Sequence, residues 1–236
     1  GVELRQGYGL TETSPVISVN RENCNNPVTV GQPIPGLQIR LGDIEELQVK
    51  GPTVMKGYWK RPDATAEVFT EDGWFRTGDQ ADLSDAGRIR IKGRIKEIIV
   101  TSTGEKIPPT DMELAIQTDP LFEQVMVVGE ARPFITALAV VNEAEWEKFA
   151  KEFNVDPSDD RMLMRRDIRM AALKRLKKAA SRFPQYGIPR NIRLLKEHWT
   201  VDNGCLTVTM KLRRPIIREK LRAEIDELYT VPQNNV

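Results

Sequence analysis

The feature that most limits how this chain can fold is a change of texture near residue 95. Before it, glycine and proline recur every few residues, which leaves room for short strands and tight turns and for little helix. The runs VISVN (16–20), LQIRL (37–41) and ELQVK (46–50) alternate or run apolar and read as strands. One short helix is predicted over 63–69, with Asp63 as its N-cap. The stretch LSDAGRIRIKG (83–93) reads as a hairpin turning on Asp85 and Gly87. This half is expected to form a small antiparallel, barrel-like β unit.

Beyond Arg94, strands alternate with helical patterns. EIIVTS (97–102) reads as a strand, and Thr110-Asp111-Met112-Glu113 as a capping box opening a helix through LAIQ. Strands are predicted at 124–129 and 135–141. Asn142 and Glu145 mark the start of the helix EAEWEKFAKEF, and a long basic helix fills 161–182. A strand near 191–196 precedes a final helix with Pro215 in its first turn, running to about Tyr229. Such alternation builds an α/β layer on one sheet, so the fold class is α+β with a boundary near 94–97.

The totals exclude several classes. With 35 Lys and Arg against 34 Asp and Glu, the net charge of +1 offers no overall field for nucleic acid. Cys24 and Cys205 lie far apart and match no metal-ligand spacing. They read as reduced thiols of a cytoplasmic protein, a single disulfide being the lesser alternative. No apolar run reaches the roughly 18 residues that a bilayer span requires, and no leader precedes a cleavage site. Opening on GVELRQGYG reads as a cut through a longer protein.

Four stretches carry chemistry. In GYGLTETSP (7–15), glycines admit close backbone approach, Tyr8 offers a flat face, Thr11 can donate to a phosphate, and Glu12 is a hard oxygen ligand suited to Mg2+. The same letters also describe a glycine turn with a Ser/Thr cap. In GWFRTGDQADL (73–83), Asp79 follows a Thr-Gly turn and could accept two ribose hydroxyls, or serve only as a turn residue. In GRIKEIIVTSTGEKIPP (93–109), Arg94 suits a ribose or phosphate, Lys96 stands at the texture change, and Gly104 would let a narrow ligand arm pass. In NGCLTVTMKLRRP (203–215), Lys211 could neutralise a phosphoryl group, or be a solvated charge.

Taken in this order, the four stretches resemble the adenylate-forming (AMP-binding) superfamily, and QGYGLTETSP, GRIKEIIVTSTGEKIPP and LTVTMKLRR look most like its long-chain fatty acid–CoA ligases. Other branches carry Gly directly before the lysine; here Met210 stands there. The resemblance implies ATP, Mg2+, coenzyme A and a fatty acid as small-molecule partners. It implies that a carboxylate attacks the α-phosphorus of ATP and that the thiol of coenzyme A then displaces AMP. Tyr8 would stack on adenine beside Gly9, Thr11 would touch the phosphates, and Glu12 would hold Mg2+. Asp79 and Arg94 would bind ribose, Lys96 would be a hinge, Gly104 would flank the pantetheine arm, and Lys211 would serve adenylation.

It also implies that 1–20 ends a missing N-terminal domain, that 21–95 is the β-rich subdomain, and that 96–236 is a mobile lid. The family's Gly/Ser/Thr-rich phosphate loop is not among these residues, so the chain alone would be inactive. An aryl or medium-chain ligase, a nonribosomal adenylation domain, or a non-catalytic nucleotide- or CoA-binding module remain alternatives. The basic segment 161–182 reads as a lid helix with a solvated face, its other options being CoA phosphates or peripheral contact with an acidic membrane surface. His198, the single histidine, has no triad around it, and Trp74 reads as a core anchor.

Overall fold

A computed structural model describes residues 3–230. The chain divides into two compact units, Gly1–Ile98 and Ile99–Val236, each with its own apolar core.

In the first unit, β1 (Gly7–Gly9), β2 (Val16–Val19) and β3 (Gln32–Pro33) form one antiparallel sheet in chain order. A second antiparallel sheet contains β4 (Gln38–Leu41), β5 (Glu46–Lys50), β6 (Phe75–Asp82) and β7 (Arg90–Arg94), again in chain order. The helix α1 (Pro62–Val68) lies between β5 and β6 in sequence. Ile17, Leu47, Val49, Phe75, Ala81 and Ile89 make the core. The sheets stay open: β4 and β7 are edges, so the unit is not the expected barrel-like body. Closing a sheet requires its two edge strands to pair through a tilted, staggered register, and no such pairing joins β4 to β7 among the described residues.

Residues 73–83, whose Thr-Gly pair reads from sequence as a turn before Asp79, are mostly strand. β6 buries Phe75, Thr77, Asp79 and Ala81 in strict alternation, so the period of two puts the Asp79 carboxylate on the core side. Between the pairs Gln48↔Arg76 and Glu46↔Gln80, β6 carries two more residues than β5, and Gly78 takes φ +71° within this bulge. α1 starts from Arg61 with Pro62 in its first turn. Asp63 therefore sits inside that turn, where its charge meets the helix dipole, and is not the cap.

In the second unit, β8 (Ile99–Val100) and β9 (Lys106–Ile107) pair as a short hairpin, so the predicted strand 97–102 is only two residues long. α2 (Pro109–Ile116) follows. Then β10 (Phe122–Val128), β11 (Thr136–Val141) and β12 (Asn191–Leu195) form a sheet in which β11 is antiparallel to β10 and parallel to β12. The crossover from β11 to β12 carries α3 (Glu143–Glu152) and α4 (Arg166–Ala179), and α5 (Arg214–Lys220) and α6 (Arg222–Thr230) close the unit. All six β11 residues are buried, because one face packs on Ile116, Trp146, Phe149 and Leu176 and the other on Trp199, Leu206, Ile217 and Leu228. A strand covered on both sides must be apolar throughout.

Local signals at 142 and at 160–182 fared differently. Asn142 caps α3 by accepting the Glu145 N–H at 3.2 Å, as its sequence position predicts. The basic segment is not one helix: Asp160–Met164 is a 3-10 turn capped by Asp159, and extended backbone at Arg165 precedes α4. The final helix breaks at Leu221 into α5 and α6.

The capping box at 110–113 does not form. Pro108 precedes the helix, Pro109 starts it, and no side chain caps it. Glu113 turns inward instead, 5% exposed, accepting the Val127 N–H at 2.7 Å and gripping Arg214 through two bonds of 2.7 Å. This ties α2 to β10 and to the start of α5. Breaking a buried pair by removing one partner is strongly destabilising. Glu113→Ala should therefore lower unfolding free energy by about 3 kcal/mol, read from urea unfolding followed by circular dichroism. A loss of less than about 1 kcal/mol would show that the pair contributes little beyond packing.

Candidate functional site

The glycine of the opening motif has a packing reason. A Cβ on Gly9 would lie 1.8 Å from the Pro15 carbonyl oxygen, where the chain doubles back and β1 meets β2. The reversal is a 3-10 turn, Thr11–Thr13, closed by Ser14 in the left-handed region at φ 58°. Buried Thr13 holds it: its Oγ1 contacts the Leu10 and Pro15 carbonyls at 2.9 Å each and accepts the Leu10 N–H at 3.1 Å. That leaves Thr11 exposed and Glu12 half-buried on the outer side of the turn.

Glu12 is held from a distant segment. The Met55 N–H donates to its carbonyl at 2.8 Å, and the Tyr58 hydroxyl donates to Oε1 at 2.9 Å. Burial, followed by the Glu12 hydrogen bond and charge, raises the Tyr58 hydroxyl pKa. Oε2 has no hydrogen-bond partner among the described residues. No group of three or more His, Cys, Asp or Glu gathers for a metal among the described residues. A single open carboxylate still suits Mg2+, which is commonly held by one or two carboxylates plus phosphates and water.

Tyr8, Asp79 and Arg94, named from three separate stretches, come together. Asp79 is 4% exposed; Tyr8 donates its hydroxyl to Oδ2, and Arg94 Nε pairs with Oδ1 at 2.9 Å. Register explains the second contact, since Asp79 lies opposite Arg94 across β6 and β7. Thr77 fixes the main chain of Asp79: its Oγ1 donates to the Leu47 carbonyl at 2.7 Å and accepts the Asp79 N–H at 3.1 Å. Burial first, and then the Asp79 charge and hydrogen bond, push the Tyr8 phenol far above the usual tyrosine range. A flat ring, a buried carboxylate and a guanidinium in one cluster form a set able to recognise a nucleoside.

The remaining candidates lie on other segments of the chain. Lys96 is exposed in the 3-10 turn Ile95–Glu97. Gly104 takes φ +84° in the β8–β9 turn, and a Cβ there would meet nothing within 4 Å. The turn accounts for the glycine, and the open side leaves room for a ligand arm. Lys211 is exposed on a turn closed by Thr207 N–H to the Lys211 carbonyl at 2.9 Å and Lys211 N–H to Thr207 Oγ1 at 3.1 Å. Met210 adopts φ 61° there, the region that glycine favours. Nζ of Lys211 has no hydrogen-bond or ion-pair partner among the described residues. Arg213 donates to the Gly204 carbonyl at 3.3 Å, while Arg214 is engaged by Glu113.

Sequence reasoning passed over the segment Met55–Arg61. With Phe69, its residues Lys56, Tyr58, Trp59 and Lys60 line an open cleft of about 780 Å3, and Trp59 is 86% exposed. An aromatic pair between lysines after Gly57 was the available signal. His198 pairs with Glu123 at 3.2 Å, and both cysteines are free thiols. Among the described residues no helix is long and apolar enough to cross a membrane.

The family model for AMP-binding enzymes matches residues 1–59, and that for the AMP-binding enzyme C-terminal domain matches residues 96–232. The long-chain-fatty-acid–CoA ligase FadD15 of Mycobacterium bovis is 36% identical over 97% of this chain and 38% of its own length. The chloroplastic long-chain-fatty-acid–[acyl-carrier-protein] ligase AEE15 of Arabidopsis thaliana is 34% identical over 98% of this chain and 33% of its own. Among solved structures, the A domain of a carboxylic acid reductase from Segniliparus rugosus, in complex with AMP and a co-purified carboxylic acid, superposes with a TM-score of 0.75. That domain is 27% identical, over 97% of this chain and 35% of that one. The chain thus spans about a third of the length of the curated relatives it matches.

The Tyr8–Asp79 contact has a pH signature. Tyr8 resists ionisation in the folded state, whereas an unfolded tyrosine titrates near pH 10. The stability from its raised pKa is fully present below about pH 10 and falls as pH rises above it. Wild type and Tyr8→Phe should differ by a constant amount up to about pH 9, and wild type should then lose ground between about pH 10 and 11. Urea midpoints across this range test it; a difference independent of pH would mean that the phenol is not buried against Asp79.

Proposed function

The chain belongs to the AMP-binding enzymes, and on that premise we propose that it supplies the C-terminal part of an ATP-dependent long-chain fatty acid–CoA ligase. The observation that carries the reading is the Tyr8–Asp79–Arg94 cluster, with Glu12 four residues beyond Tyr8. A fatty acid carboxylate attacks the α-phosphorus of ATP, the bond to the β-phosphate oxygen breaks, and pyrophosphate leaves. The thiol of coenzyme A then attacks the acyl carbon, AMP departs, and the thiol proton passes to solvent.

Each residue has a physical task in this scheme. Tyr8 offers its ring to adenine beside Gly9, while Asp79 and Arg94 take the ribose. Thr11 donates to phosphate, and Glu12 holds Mg2+, which offsets charge on the triphosphate. Lys211 brings an unpaired ammonium to the α-phosphate as charge builds there. Gly104 leaves a passage for the pantetheine arm. Lys96 serves as a hinge: it lies in a short turn just before the division at Ile98 and Ile99, and hinges are a few residues that absorb a large backbone change. The second unit is then a lid that moves between the half-reactions. The name of the Arabidopsis relative favours a second acceptor, the thiol of an acyl carrier protein.

Fatty-acid-dependent exchange of pyrophosphate into ATP, measured on the complete ligase, tests the first step; exchange with aryl or amino acids alone would overturn the proposal. Supplying coenzyme A or acyl carrier protein then identifies the acceptor. Lys211→Ala should slow the exchange by about 10²- to 10³-fold, as loss of a preorganised donor does. It should leave thioester formation from synthetic acyl-adenylate within a few-fold of wild type. Equal losses in both steps would assign Lys211 a structural role.

A further inference from the structure

We propose that Tyr58 is a positioning residue for the metal: its hydroxyl holds the Glu12 carboxylate so that one oxygen is presented to Mg2+. The inference rests on Glu12 being the metal ligand, and adds a residue and a selectivity that the reading of Glu12 does not contain. Two bonds join Glu12 to this segment, one from the Met55 N–H at 2.8 Å and one from the Tyr58 hydroxyl at 2.9 Å.

Tyr58 is itself fixed from the opposite side. Its N–H donates to Thr65 Oγ1 at 2.9 Å, and that hydroxyl donates to the Arg61 carbonyl at 2.8 Å within α1. Gly57 makes the approach possible, since a Cβ there would sit 2.6 Å from Thr65 Cγ2, at φ +147°. The path from α1 through Thr65 and Tyr58 to Glu12 is therefore continuous. Tyr58 is 37% exposed at the rim of the cleft, so it is no pillar of the core.

The chemistry follows from what the hydroxyl does to Glu12. A hydrogen bond to an ionised carboxylate is a strong one, and it limits the rotamers that a free glutamate would have to give up on binding a cation. It also occupies Oε1, leaving Oε2 as the open oxygen. Mg2+ demands a compact octahedral shell, whereas Ca2+ is larger and accepts bidentate carboxylates in looser shells. A glutamate with one oxygen capped by Tyr58 suits the smaller ion. Without the phenol hydroxyl both oxygens are open, and preference for Mg2+ over Ca2+ should relax.

The experiment uses the complete ligase and follows ATP binding by equilibrium dialysis while Mg2+ or Ca2+ is titrated. Wild type, Tyr58→Phe, Glu12→Gln and the double variant are compared. Tyr58→Phe should raise the half-saturating Mg2+ concentration about five- to tenfold, the size of an ordinary net hydrogen bond. It should also narrow the gap between Mg2+ and Ca2+ and add nothing to the effect of Glu12→Gln. Thr65→Val, which frees the Tyr58 backbone from behind, should shift the Mg2+ titration in the same direction. An altered titration in Glu12→Gln with none in Tyr58→Phe overturns the role of Tyr58 alone. An unaltered titration in Glu12→Gln overturns the metal reading of Glu12 and this inference with it. Weaker ATP binding in Tyr58→Phe by the same factor at every metal concentration would make Tyr58 a loop support only, which also overturns the proposal.

Discussion

A carboxylate removed from water must be met by donors, or it takes up a proton or unfolds its surroundings. The buried Asp79 obeys that rule by drawing β1 and β7 onto β6: Tyr8 comes from one side and Arg94 from the other. The second unit repeats the device with Glu113, satisfied by the Val127 N–H of β10 and by Arg214 at the start of α5. In each case the acid lies on a core-facing position of a regular element, with one donor from the next strand in the chain (Arg94, Val127) and one from far away in sequence (Tyr8, Arg214). The two carboxylates differ in what surrounds them. Asp79 is flanked by an aromatic ring and a cation, while Glu113 joins helix to sheet.

The motif glycines separate in a similar way once the backbone is considered. Gly9 is required because the Pro15 carbonyl occupies the space of a side chain, and Gly78 because β6 bulges at φ +71°. Gly104 is required by its turn but faces open space. For all three, the fold alone accounts for the residue, whatever ligand lies nearby. Bulges beside functional residues re-aim side chains, and the one at Gly78 immediately precedes Asp79.

Much of this was legible in the sequence where the deciding forces are local. Alternating or apolar runs marked β2 and β5, Asn142 announced its helix, and three of the motif stretches named Tyr8, Asp79 and Arg94 before any contact between them was known. What escaped was set by partners far along the chain. Thr110 to Glu113 spells a capping box, but Glu113 has better partners in Val127 and Arg214, the latter 101 residues away. Tyr58 went unnoticed because its meaning is a hydrogen bond to a residue 46 positions earlier. The barrel expectation failed because closure is a pairing between edge strands distant in the chain, β4 and β7, which local strand signals do not report.

The lysine and arginines of residues 211–214 show why charge on a surface segment cannot be read from composition. Arg214 and Lys211 are three residues apart and carry the same charge. The guanidinium is planar and presents several donors, so it can satisfy Glu113 bidentately in the interior. An ammonium placed there would leave part of the carboxylate unmet. Lys211 lies on a turn whose backbone is fixed by Thr207, with Met210 held at a left-handed angle that disfavours side chains by roughly 1–2 kcal/mol. The turn therefore orders the main chain while its ammonium keeps no partner among the described residues. An ammonium with no internal partner need not first be detached from another anion before it meets one, whereas the Arg214 guanidinium is committed to Glu113. A loss of activity on replacing Arg214 would accordingly report on the fold, whereas a loss on replacing Lys211 with stability unchanged would report on chemistry.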